Sequence, residues 1–158
     1  MKLKTTHHYH AKPKELWPLL FGSKMDTKHP CNFLFGLPKP LECRLQDGEG
    51  GVGKMRECVS DKGIIKQTIL EWEPNKKLSF ELKETDIYFG PCVTRIIETF
   101  TINPITESTT SITRETKFVV ISKMRLFISI PMFIGLKSIH FYVFKNWNRI
   151  IEASKAIV

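Results

Sequence analysis

Four ionisable residues sit among apolar neighbours, and they define the chemistry this chain has to offer. Glu98 falls between Ile96 and Phe100; Arg114 falls between Ile112 and Thr116, with Phe118 beyond. On a strand every second residue points to the same face, so Glu98 and Arg114 share the face of the apolar residues around them. Arg56 joins that face if Val52 does, and His140 lies on a helical stripe of apolar residues. A buried charge is costly unless paired, so Glu98 and Arg114 are expected to pair if they share an interior. Such a pair suits the carboxylate, hydroxyl or carbonyl end of an apolar ligand. It serves equally as an internal salt bridge with no ligand. His140, with an ordinary pKa near 6.5, falls in the range of a general acid or base. The sequence assigns it no nucleophile or matched carboxylate, and a lone histidine on an apolar helix face is more often hydrogen-bonded core.

Other clusters offer less. In the run His7-His8-Tyr9-His10 a strand sends His8 and His10 to one face and His7 to the other, at most a partial metal site. His29 and Cys31 would complete it only through a fold the sequence does not reveal. No metal and no cofactor is expected. The stretch from Gly48 to Gly53 has no following Lys-Ser/Thr and precedes a strand, so it reads as a hairpin loop at a cavity rim and not as a phosphate loop. Cys31, Cys43, Cys58 and Cys92 show no zinc spacing and the chain opens on a polar segment, so reduced thiols and a cytoplasmic location are expected.

The formal charge is +8, and residues 117–158 hold seven basic residues against one acidic. Localised positive charge of this kind steers toward phosphates or is a plain solvated face. No helix-turn-helix, zinc finger or ribonucleoprotein motif accompanies it, so no nucleic-acid partner is expected. The most apolar run, Leu126 to Leu136, is broken by Pro131 and is too short for a membrane span, which needs roughly 20 residues. Its apolar residues, flanked by Lys123, Arg125 and Lys137, point to peripheral membrane contact through 124–136, a dimer contact, or burial against the sheet end. Oligomeric state is not legible.

These residues need elements to hold them. A strand is expected over Leu3–Ala11, with Leu3, Thr5, His7 and Tyr9 on one face. A short helix starts at Lys12-Pro13 and stops at Gly22, and a second short helix or ordered loop falls within 23–40. Strands follow over 41–47, 52–60, 64–73, 77–85, 92–103 and 109–121, separated by turn residues such as Asp61-Lys62-Gly63 and Pro74-Asn75. Short connections make an antiparallel meander. From Pro131 to Val158, Phe133, Leu136, His140, Val143, Trp147, Ile150, Ser154 and Ile157 recur at steps of three and four, the signature of a long amphipathic helix; Ile134, Phe141, Phe144 and Ile151 widen the stripe. The whole is a single α+β domain over 1–158, a curved antiparallel sheet of about seven strands wrapped around a long C-terminal helix.

The opening "HHYHAKPKELWPLL", with Ala11, Glu15, Leu16 and Trp17, resembles the start of the START-like superfamily, also called SRPBCC, which includes the polyketide cyclase/dehydrase and lipid-transport family. Gly53 and Arg56, Gly63, Trp72-Glu73-Pro74, Leu78 and Phe80 hold places similar to its central hairpins. The resemblance implies a helix-grip fold with a deep cavity for an apolar ligand, and it implies no single activity. The expected function is therefore binding or transport of a hydrophobic small molecule or lipid between sheet and helix. The ligand-binding residues would be Arg56, Glu98, Arg114, His140, Phe80, Phe100, Phe118, Val143 and Trp147. The alternative is a cyclase- or dehydratase-like enzyme in which His140 or Glu98 moves a proton. A third reading is an interaction module covered by a partner at 124–136.

Overall fold

The computed structural model describes the chain apart from His29, residues 34–36, Phe89, residues 122–124 and 157–158, and the side chains of Asn32, Arg125 and Leu126. The expectations that fall on His29, Leu34, Phe35, Lys123, Met124 and Ile157 lie outside the described residues.

Strand β1 (Lys2–Tyr9) alternates as its sequence demands: Leu3, Thr5 and Tyr9 are buried, while His8 and His10 are exposed. Helix α1 (Pro13–Phe21) follows, with proline at a first turn where its missing N–H costs nothing. The Glu15 carboxylate accepts the Lys12 backbone N–H at 2.6 Å, closing that turn. Leu16, Trp17, Leu19 and Leu20 are buried, and the helix ends where the Gly22 N–H meets the Pro18 carbonyl. A two-residue strand β2 (Ser23–Lys24) comes next, and in place of a second short helix there is a single 3-10 turn at Cys31–Phe33.

The meander then runs through β3 (Pro40–Leu45), β4 (Met55–Ser60), β5 (Gly63–Glu73), β6 (Lys77–Thr85), β7 (Val93–Pro104) and β8 (Thr110–Val120), before helix α2 (Arg125–Lys155). All pairings are antiparallel, in the order β1-β8-β7-β6-β5-β4-β3-β2. The sheet has eight strands where about seven are expected, because β2 is too short to carry any alternation. Helix α1 carries the chain from β1 at one edge to β2 at the other. The curled sheet then closes as a half-barrel on α2.

Two details depart from expectation. Strand β4 begins at Met55, not at residue 52, and Val52 is exposed in the preceding turn. Arg56 nevertheless faces inward, so its direction is set by β4's own register and not by Val52. Helix α2 begins at Arg125 and takes Pro131 into its second turn, six residues before the expected start. Proline there removes one intrahelical hydrogen bond, and the packed C-terminal half of the helix outweighs that loss.

The core gathers Tyr9, Leu16, Leu20, Ile69, Leu78, Phe80, Phe100, Ile112, Phe144 and Trp147 between sheet, α1 and α2. Side chains of this size contribute roughly 1.5–3 kcal/mol each when fully buried. A second cluster of Ile96, Phe118 and Val120 packs with Ile128, Met132, Phe133 and Leu136 near the start of α2. The helical stripe is confirmed at His140, Val143, Phe144, Trp147 and Ile151; Ile134 and Phe141 are exposed. By length and composition Phe127–Lys155 is apolar enough to cross a membrane. Here its polar His140 and Asn146 are buried beside Trp147 against the rest of the protein.

Cys43 and Cys58 are direct cross-strand partners on β3 and β4 and form a disulfide, which corrects the expectation of four reduced thiols. Cys31 and Cys92 are free. Register brings the bonded pair together, and register cannot be read from a spacing of 15 residues.

Candidate ligand cavity

Between the sheet and α2 lies a cavity of about 370 Å³, toward the lower end of the usual size for small-molecule sites. Its walls are mostly apolar: Ile96 and Phe100 from β7, Leu82 from β6, Ile65 from β5, and Met132, Leu136, Ile139, Val143 and Trp147 from α2. At its mouth stand Leu37, Tyr88, Phe127 and Pro131. Tyr88 and Phe127 are strongly exposed.

The segment that bears Leu37 and Pro38 is tied to α2 by a small polar knot. The Asn146 Oδ1 accepts the Asp26 N–H at 3.0 Å, and the Asp26 carboxylate accepts the Tyr142 hydroxyl at 3.0 Å and Arg149 at 2.9 Å. Lys39, almost wholly buried, donates from Nζ to the Asp26 carbonyl at 2.8 Å. This knot was not legible in the sequence, because its members are up to 123 residues apart.

The ionisable side chains singled out by alternation converge at this interior. Arg114 Nη2 donates to both Glu98 oxygens, at 2.6 and 2.7 Å, across the β7–β8 ladder. Each is less than a tenth exposed. The Thr116 hydroxyl also donates toward Glu98, at 3.4 Å. Arg56 extends from β4 and donates to the Gln67 carbonyl oxygen and, at 2.9 Å, to the Leu20 backbone carbonyl. Its guanidinium lies 4.4 Å from the centre of the Phe80 ring, and that of Arg114 lies 5.3 Å from the centre of Phe100. Such stacking holds a planar cation against an apolar wall. Burial pushes the Arg56 pKa down to about 9; Glu98 acts against that shift and Arg114 adds to it. Arg56 is therefore still protonated at neutral pH.

His140 is fully buried and both ring nitrogens are engaged: Nε2 lies 2.8 Å from the Thr116 hydroxyl and Nδ1 3.1 Å from that of Thr5. Burial, with Arg114 nearby, drives its pKa down to about 2, so the ring is neutral at any physiological pH. It bridges β1, β8 and α2 as a neutral hydrogen-bonding strut.

Of the residues expected to meet a ligand, Arg56, Glu98, Arg114, Phe100, Val143 and Trp147 line the cavity. Phe80, Phe118 and His140 stand behind its wall: Phe80 under Arg56, Phe118 in the second cluster, His140 between strand and helix. Gln67 also lines the cavity, as do Ser23, Ser60 and Tyr88, and none of them is among the residues expected to meet a ligand. Gln67 alternates with Ile65 and Ile69 on β5, so the pattern that picked out Glu98 would have found it.

No family model and no curated protein matches the chain by sequence. Solved structures match it over nearly its full length. A START superfamily protein from Mycobacterium smegmatis superposes with a TM-score of 0.64 at 12% identity, covering 96% of this chain and 97% of that one. The major latex-like protein 151 of Panax ginseng gives 0.66 at 14%, over 94% and 95%. A point mutant of norcoclaurine synthase from Thalictrum flavum, in complex with a transition-state analogue, gives 0.64 at 13%, over 98% and 96%. Strand order, the gripped C-terminal helix and these superpositions agree: the chain has the START-like (SRPBCC) helix-grip fold.

Proposed function

We propose that this protein binds and carries a hydrophobic small molecule or lipid in the cavity between the sheet and α2, without catalysing a reaction on it. The observation that carries the reading is a mostly apolar cavity of about 370 Å³ whose sheet wall carries Arg56, Gln67, Glu98 and Arg114. Apolar contact supplies affinity at roughly 25 cal/mol per Å² buried, and these polar side chains orient one polar end.

The interior chemistry favours carriage over catalysis. His140 is neutral with both nitrogens occupied, and both Glu98 oxygens are held by Arg114. Neither has the free proton site that acid–base catalysis needs. The cyclase-like alternative keeps one support, the fold shared with norcoclaurine synthase. It would require a ligand that displaces one of these bonds.

Delivery at a membrane surface belongs to the same proposal. Phe127, Ile130, Ile134 and Phe141 are more than half exposed along α2. Lys137 and Lys145 are exposed between and beyond them, and Phe127 also borders the cavity mouth. An apolar stripe with interleaved lysines complements an anionic bilayer.

Native mass spectrometry of the purified protein, before and after organic extraction, tests the carrier. The expected result is a copurified apolar molecule whose removal leaves the fold intact by circular dichroism. Turnover of such a molecule to a second product would transfer the case to the enzyme.

A further inference from the structure

We infer that the ligand carries a single carboxylate and that this group sits against Arg56, an assignment that rests on the cavity being a ligand site. The argument is one of charge balance. Among the described lining residues the charged groups are Arg56, Arg114 and Glu98. Arg56 is 5% exposed, Arg114 7% and Glu98 8%. Glu98 is consumed by Arg114 through two short hydrogen bonds. That leaves one net positive charge, on Arg56, whose direct contacts are all neutral (the Gln67 side chain, the Leu20 carbonyl and the Phe80 face), while Glu98 acts on it without an ion-pair contact. The Arg56 Nε makes no hydrogen bond, and neither does that of Arg114, so charge balance and not the unpaired nitrogen singles out Arg56. A buried ion without a counter-charge is costly, and a bound anion removes that cost.

The surplus is one charge, which fits a monoanionic head group. A carboxylate is a monoanion, and its planar pair of oxygens matches the guanidinium fork. An alkyl phosphate near neutral pH carries closer to two negative charges and overshoots the balance. The surrounding lining is aliphatic and aromatic, so the rest of the ligand is an apolar body, as in a fatty or terpenoid acid.

Calorimetric titration with decanoate, decanol and decyl phosphate at pH 7.5 separates the outcomes. Decanoate is expected to bind at least tenfold tighter than decanol, and tighter than decyl phosphate. Arg56→Gln should abolish the preference for decanoate over decanol, and Arg56→Lys should retain part of it. Equal affinities in the wild type, or a preference that survives Arg56→Gln, would overturn the carboxylate assignment with the carrier reading intact. Tighter binding of decyl phosphate would overturn it too. Failure of all three chains to bind would remove the carrier reading together with this one. The wild-type comparison decides the matter even if Arg56→Gln does not fold.

Discussion

At the scale of single residues, the interior holds its charges in two different states of satisfaction. The Glu98–Arg114 pair neutralises itself through two short hydrogen bonds, although Arg114 Nε stays unpaired, and its removal is harsher than its presence is helpful. Glu98→Gln keeps the shape and a hydrogen-bond acceptor, yet strands a second guanidinium in the same interior. The expected loss is about 3–5 kcal/mol of unfolding free energy, read from urea denaturation; a loss below about 1 kcal/mol would mean that water reaches the pair. His140 gives a pH signature of its own. Its pKa is lower in the folded chain than in the unfolded one, so the unfolded state binds the extra proton. Stability attributable to His140 is flat above pH ~6.5 and falls by about 1.4 kcal/mol per pH unit below it. Burial gives His7 a lowered pKa of the same sign. Between pH 6.5 and 5 the wild type should therefore lose urea resistance more steeply than His140→Gln. Parallel profiles for the two proteins would show that the ring is not desolvated.

At the scale of elements, the sheet's far end depends on one close approach. A Cβ on Gly50 would lie 2.0 Å from the ring of Trp72, and Trp72 is itself packed edge-on to Trp17 at 5.0 Å and against Phe21 at 5.0 Å. The loop before β4, the end of β5 and helix α1 thus meet over a glycine. Gly50→Ala is expected to cost about 1–3 kcal/mol through overpacking, whereas Gly22→Ala, whose Cβ would meet nothing nearer than 3.7 Å, should stay within about 0.5 kcal/mol. Equal melting temperatures for the two variants would contradict the close contact. Elements also differ in how far the sequence announced them. Strands β7 and β8 alternate in burial because one face points to the interior, and the expected limits of β6, β7 and β8 hold to within a residue or so. Helix α2 starts six residues before Pro131, the residue at which the sequence pattern places a helix start. Proline is compatible with a first turn and, where the helix is held from outside, with a later one.

At the scale of the whole molecule, α2 joins two surfaces of opposite character. One side grips the cavity and the core; the other presents Phe127, Ile130, Ile134 and Phe141 to solvent. Phe127 is 84% exposed, so Phe127→Asp should leave thermal stability nearly unchanged. It should reduce cosedimentation with vesicles of mixed neutral and anionic phospholipid at least severalfold, and raised salt should weaken what remains. Unchanged vesicle binding would remove the membrane from the proposal, and a larger mass in light scattering that the substitution abolishes would assign the face to a second copy.

The sequence by itself determined the order of strands and helices, the inward direction of Glu98 and Arg114, and the helical stripe through His140, Val143 and Trp147, because all of these follow from periodicities of two and 3.6 residues along a continuous chain. The helix-grip architecture was implied by the resemblance to the START-like superfamily. Only the tertiary structure decided the rest: that Glu98 is used up by Arg114, that His140 is locked between Thr5 and Thr116, that Cys43 meets Cys58, and that Arg56 is left as the one unbalanced charge in the cavity lining. Each is a relation between residues far apart in the chain. Such relations are set by strand register and by the seating of α2, where burial makes pairing and charge balance decisive, and no local pattern encodes them.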